Sequence, residues 1–229
     1  MKPHSQRMIH IGINFIMIPA PVVTKLQSLA FQQAVITNGL DFTKVDNPQH
    51  RITLTREQPS PLQISVVGDN QVGQLLVVAP NPQGSHELFI QEAEAALTAF
   101  QSVWSDPGRQ VIKSDATIRC LYETTSQHAF QELWETRLGQ EGQSLKAFER
   151  PIRGGGLRFV MDALPGDTQP AQVEVKIESF LRDTSKIFVE TQFTWPKPTE
   201  PGEHFDVRGR LQQMTEYINN QVAAFLTGE

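Results

Sequence analysis

The sequence predicts an α+β fold in which antiparallel strands form sheets with helices packed on one face. The clearest sign lies between residues 157 and 195, where odd positions are apolar or small and even positions are mostly charged or polar. The odd positions are Leu157, Phe159, Met161, Ala163, Val173, Val175, Ile177, Ser179, Leu181, Ile187, Val189, Thr191, Phe193 and Trp195. Because successive side chains of a strand point to opposite faces, this stretch predicts three antiparallel strands with one buried and one solvated face.

A second sign is that the order of elements before residue 104 returns after residue 109. Residues 8–104 predict a strand, a helix, three or four strands and a long helix, and residues 109–226 predict the same order. The sequence Asp106-Pro107-Gly108 breaks the chain between them. We therefore predict two βαβ(3-4)α units, 8–104 and 109–226, which either share one continuous sheet or form two lobes.

The helices follow from apolar positions at helical spacing and from capping residues. A helix over residues 22–38 gathers one set on a single side, namely Val22, Val23, Leu26, Leu29, Ala30 and Ile36. Ser85 is expected to cap a helix that runs to Trp104, and Asp206 to cap the last helix. The apolar stripe of that last helix consists of Val207, Leu211, Met214, Ile218, Val222 and Phe225.

Composition narrows the classes of partner and compartment. The chain has 229 residues and a formal net charge of -5 without a large block of one sign, which argues against nucleic-acid binding. A single cysteine excludes an internal disulfide and fits a reducing compartment. The apolar run at 8–18 is interrupted by His10 and Asn14, so it predicts a strand rather than a signal peptide. We expect a cytoplasmic protein with no membrane partner.

The doubled order of elements over residues 8–226 resembles the repeat of the TATA-box-binding-protein fold. The resemblance implies an open sheet face, which in that family is basic and grips DNA. Here the face at 157–195 carries both signs: Glu174, Glu178, Glu190 and Asp162 stand among Lys176, Arg158, Arg182 and Lys186. This departure argues against DNA binding. The C-terminal half also resembles a scattered family of uncharacterised bacterial proteins, which implies no particular activity.

No residue pattern predicts catalysis, a cofactor or a metal site. Cys120 and His128 are the best nucleophile-and-base pair on offer, but Cys120 lies on the apolar side of its strand, where a buried thiol is the simpler interpretation. The six histidines contain no pair at the spacing that places two imidazoles on one helix face. Glu203 and His204 have ligand chemistry, yet the neighbouring Asp206 is needed as a helix cap.

One loop has the composition of an anion site. Arg150 and Arg153 precede three consecutive glycines, Gly154, Gly155 and Gly156. Glycine amides can converge on an anion, and arginines add bidentate contacts. The alternative interpretation is a bulge or hinge, because the run leads into a strand rather than a helix.

The last hairpin predicts a candidate interface. Strand parity pairs odd residues with odd ones, so a three-residue loop would set Arg182 opposite Lys186 and Phe180 opposite Phe188. Both phenylalanines would then lie on the solvated face. Such a pair either stabilises the sheet locally or forms a small apolar patch for a protein partner or a second subunit.

These observations favour a non-catalytic binding or assembly module that self-associates. A first alternative is a carrier of a small apolar ligand, held in a cavity between a long helix and a curved sheet and lined by Val207, Met214 and Phe225. A second alternative is an enzyme or binder for an anionic substrate at the loop of Arg150, Arg153 and the three glycines.

Overall fold

A computed structural model of the chain confirms the α+β class. It describes residues 1–2, 5–69, 71–125, 128–140, 144–164, 166–167 and 169–228. In this part of the chain nine antiparallel strands form one sheet, in the order β2-β3-β4-β5-β1-β6-β9-β8-β7. The strands are β1 (Arg7–Ile18), β2 (Lys44–Asp46), β3 (Arg51–Arg56), β4 (Leu62–Gly68), β5 (Gly73–Pro80), β6 (Gln110–Glu123), β7 (Gly156–Met161), β8 (Gln172–Ser179) and β9 (Lys186–Trp195).

The helices include the three that the sequence predicts at 22–38, after Ser85 and after Asp206. They are α1 (Lys25–Thr37), α2 (His86–Val103), the short α3 (Ala129–Gln131), α4 (Val207–Tyr217) and α5 (Ala223–Thr227). A π-helical turn over Glu132–Arg137 follows α3, a 3-10 helix covers Ser144–Phe148, and a second π-helical turn over Ile218–Val222 joins α4 to α5. Both predicted caps are confirmed, since Ser85 accepts the Leu88 N–H and Asp206 accepts the Gly209 N–H.

The buried face of the sheet carries the core. It contacts the C-terminal helix, which consists of α4, the second π-helical turn and α5. The odd-numbered Phe193 of β9 packs edge-on against Tyr217. The odd-numbered Phe159 of β7 packs edge-on against Phe225. The opposite face is polar. At its centre the Asn14 amide donates to Asp115 and accepts from Gln74. Farther along the same face Glu190 accepts from both Lys176 (2.8 Å) and Arg119 (2.6 Å), so charges of both signs pair within the sheet.

Helix α1 is turned the opposite way from the prediction. Its buried residues are Ser28, Phe31 and Val35, whereas the predicted apolar side is exposed at Leu26, Leu29, Ala30 and Ile36. Val22 and Val23 precede the helix; Val22 is exposed and Val23 is buried. The reason is tertiary. The Phe31 ring packs on Trp104 at the end of α2, and the Ser28 hydroxyl donates to Asn47.

The register of the last hairpin also differs from the prediction. Phe188 lies opposite Glu178 rather than Phe180, and the Phe180 N–H donates to the Lys186 carbonyl. The predicted parity is right, but the pairing is displaced by two residues, so Arg182 does not face Lys186. The cause is a longer turn in which the Lys186 N–H donates to the Asp183 carbonyl.

The predicted stripe of the C-terminal helix is confirmed as far as Val222. The next buried residue is Leu226, and Phe225 is 43% exposed. The π-helical turn explains the change, because a wider turn shifts the phase of the residues that follow it. Phe225 therefore leaves the core and reaches the edge strand β7.

Candidate functional site

A groove lies between the C-terminal helix and strands β7, β8 and β9. It consists of two cavities of about 400 and 150 Å³, which share Met161, Tyr217 and Gln221 in their walls. We call the two together the helix groove. Pockets for small molecules are commonly about 300–1,000 Å³ and mostly apolar. The helix groove therefore has the dimensions of a ligand site.

The sheet wall of the helix groove follows from strand alternation. Met161, Val173, Val175, Ile177 and Phe193 are all odd-numbered, so all five point toward the helix. The smaller cavity is closed at its far end by Phe159 from β7 and Phe225 from α5. Because β7 is the edge strand, this wall borders solvent on one side.

Tyr217 stands where the two cavities meet. Its ring packs edge-on against Phe193, with centroids 5.5 Å apart, and its hydroxyl donates to the Met161 sulfur at 3.2 Å. Burial raises the pKa of Tyr217 above its usual value. A thioether is a weak acceptor, so the hydroxyl can exchange this contact for a polar atom of a ligand.

The helix wall includes the π-helical turn. Asn220 and Gln221 from this turn line the larger cavity, and Gln221 and Val222 line the smaller one. Single π-helical turns within α-helices are frequent at functional sites. The turn also directs Phe225 to the groove, because a π-helical turn changes the angular position of the residues that follow it.

The mouth of the larger cavity is acidic. Asp162, Asp167 and Glu216 line it, together with the exposed Leu164. Within the described part of the chain, neither cavity has a lysine, arginine or histidine in its wall. The groove thus combines an apolar interior with a negatively charged rim.

The structure retains part of the predicted cavity. Phe225 lines the helix groove, but Val207 and Met214 are buried in the core and line neither cavity. Met161 and Tyr217 were not predicted as site residues. The alternation that places Met161 on the inner face was visible in the sequence, whereas the position of Tyr217 depends on the helix crossing.

The residues of the predicted interface lie at one end of the sheet. Phe180 and Phe188 are each half-buried, and Leu181, which follows Phe180 in the chain, is 63% exposed. Arg182 is exposed, and Lys186 forms an ion pair with Asp183 at 3.0 Å. That this cluster contacts a partner stays a prediction.

The glycine loop lies against the end of β8. Gly155 donates its N–H to the Ser179 hydroxyl, and a Cβ on Gly156 would lie 2.3 Å from the Ile177 carbonyl oxygen. The glycines therefore allow close packing where β7 begins. Arg150 and Arg153 are both exposed. Anion binding by this loop stays a prediction.

The described residues contain few other side chains suited to catalysis or metal binding. Cys120 is buried, which raises the pKa of its thiol to about 11, and Gln6 donates to its sulfur. The parts of the chain that the structure describes hold no cluster of three or more His, Cys, Asp or Glu side chains suited to a metal ion. None of the described helices combines the length and apolar character needed to cross a membrane.

Comparison with known proteins adds little. No protein-family model matches the chain, and no curated protein does. One solved structure that it matches is DynU16, a protein in the dynemicin biosynthetic locus, at 14% identity and a TM-score of 0.25. The match covers 98% of this chain and 97% of that chain. At that TM-score the likeness carries no argument, and the resemblance to the TATA-box-binding-protein fold stays a prediction.

Proposed function

We propose that this protein binds a small, largely apolar molecule in the helix groove. The observation that carries the proposal is the pair of adjoining cavities between the C-terminal helix and β7–β9, with their apolar walls. This is the carrier function among the alternatives that the sequence leaves open.

The groove also indicates what kind of molecule it accepts. Its inner end, formed by Phe159, Val175, Ile177, Val222 and Phe225, suits an aliphatic or aromatic body. Its mouth carries three carboxylates, which favour a cation or a hydrogen-bond donor. We therefore expect an amphiphile with an apolar body and a donor or cationic head.

A matched pair of amphiphiles tests this. Calorimetric titration with n-decylamine should show saturable binding, and decanoate, of the same chain length, should bind at least about tenfold more weakly because the acidic rim repels it. Glu216→Gln should reduce the difference in affinity between n-decylamine and decanoate. Glu57→Gln, the same change at an exposed residue outside the groove walls, should leave it unaltered.

A steric variant tests the location. Ala171 is buried in the wall of the larger cavity, so Ala171→Leu should fill that space and abolish binding of n-decylamine. Ala147→Leu makes the same change at an exposed position and should bind like the unmodified protein. Circular dichroism and thermal unfolding would confirm that both variants fold. Equal binding by both variants, or absence of n-decylamine binding altogether, would refute the proposal.

We also propose that residues 8–104 and 109–226 are two related units. It is supported by strand pairing, since β5 lies beside β1 and β9 lies beside β6, each antiparallel. In both ranges the last strand therefore pairs with the first strand, and a long helix follows the last strand in the chain. The two ranges share the sheet through the pairing of β1 with β6.

A further inference from the structure

Helix α1 presents an apolar stripe to solvent. Leu26, Leu29 and Ile36 are each between 53% and 77% exposed. At about 100° per residue, these positions fall on the side of the helix opposite the buried Ser28, Phe31 and Val35. We call them, with Gln33 between Leu29 and Ile36, the α1 stripe. Single exposed apolar residues are common, but an aligned row of three on one helix indicates an interaction surface.

The spacing of the α1 stripe fits a second helix. Residues 26, 29, 33 and 36 of α1 follow one another in steps of three, four and three, which is the spacing of the contact positions in a coiled coil. Gln33 occupies one of these positions, and a single polar residue there commonly fixes register. Since the other side of α1 is anchored by Phe31 and Ser28, a partner does not have to stabilise an isolated helix.

The charge of α1 indicates which kind of partner it can contact. Between Thr24 and Asn38, Lys25 is the one charged residue in the sequence, so the surface offers little to an oppositely charged protein. It can face a copy of itself without repulsion if the two helices run antiparallel. Each Lys25 then lies at the C-terminal end of the opposite helix, where the helix dipole carries partial negative charge. A parallel pair would place the two Lys25 ammonium groups together.

We propose that the protein forms a symmetric dimer through antiparallel pairing of α1 with α1 of a second copy. Coiled-coil layering in this orientation sets Leu26 against Ile36 of the partner subunit and Leu29 against Gln33 of the partner subunit. The contact is self-complementary, as a two-fold interface requires. It lies on a different element from the helix groove, so it does not depend on the proposed ligand.

Sedimentation velocity over a concentration series of the full chain tests the dimer. Leu26→Glu should raise the dimer dissociation constant at least about thirtyfold, the effect of losing a residue central to binding. Because Leu26 is 77% exposed, the variant should have the same unfolding temperature as the unmodified protein at concentrations where both are monomers. Leu181→Glu is the matched control: its side chain is 63% exposed, and it follows Phe180 in the chain. It should dimerise normally.

Cysteine crosslinking tests the orientation, since the native Cys120 is buried. The doubly substituted L26C/I36C chain should form an intermolecular disulfide under mild oxidation, and L26C alone should not. A monomer at all concentrations would refute the proposal. So would a dimer that Leu181→Glu dissociates and Leu26→Glu does not, or efficient crosslinking by L26C alone.

Discussion

The ring of Phe225 stands edge-on to the ring of Phe159, with centroids 5.4 Å apart and the planes at 74°. This contact joins the last helix, α5, to the edge strand β7 and closes one end of the helix groove. It exists because the π-helical turn at Ile218–Val222 rotates Phe225 out of the core. A deviation in helix geometry thus determines the shape of the candidate site.

Removing this contact should weaken the fold modestly. An edge-to-face aromatic pair contributes roughly 0.5–1.5 kcal/mol beyond the area that it buries. We expect Phe225→Ala to lower the free energy of unfolding by about 1–2 kcal/mol in urea titrations, since the side chain is only partly buried. Phe148→Ala, at a more exposed phenylalanine, should change it by less than about 0.5 kcal/mol. Equal effects would contradict this account.

A buried ion pair holds α2 to the first half of the sheet. Arg56 and Glu92 are both buried, and Arg56 also donates to the Ser60 carbonyl and to Asp41. Among the described residues, Glu92→Ala would leave the exposed Asp41 as the counter-charge of the guanidinium, and it should cost about 3–5 kcal/mol of unfolding free energy. Glu123→Ala, in an exposed pair with Lys2, should cost at most about 1 kcal/mol. Similar losses for both would show that burial does not matter here.

Two histidines should make stability depend on pH. Burial lowers the pKa of His86, and burial with the nearby Arg119 lowers the pKa of His10. The unfolded chain, with histidine pKa values near about 6.5, then binds more protons than the folded chain. The free energy of unfolding should therefore fall as pH decreases from about 7 through that value. A His10→Gln, His86→Gln variant should flatten this slope, and the exposed His204→Gln should not.

The single thiol should be protected. Cys120 is 2% exposed, and burial raises the pKa of its thiol to about 11, so little thiolate exists near neutral pH. In the native protein the reaction with a chromogenic disulfide reagent should be slower by at least about a hundredfold than in urea. Rapid labelling under native conditions would show that the strand opens around Cys120.

The glycine loop remains open to a direct test. If Arg153 and the adjacent amides bind phosphate, the phosphate-induced rise in unfolding temperature should shrink in Arg153→Ala. Arg7→Ala replaces another exposed arginine, in β1, and should keep the full rise. The same rise in the unmodified protein and both variants would exclude the loop as the phosphate site.

The sequence by itself determined the α+β class, the inner face of β7–β9 and the caps at Ser85 and Asp206. Alternation and capping are local, so they need no knowledge of distant residues. The prediction also held for the helical stripe from Val207 to Val222, which begins in α4 and ends with the π-helical turn.

Only the tertiary structure decided which side of α1 is buried, the register of the last hairpin and the groove at Tyr217. Helix α1 has apolar residues on two sides, and the side that packs is chosen by Trp104 and Asn47, both distant in sequence. The hairpin register depends on the hydrogen bonds of its turn, and parity alone allows any shift of two residues. Local periodicity shows which residues share a face; the elements that meet that face decide whether it is core, groove or surface.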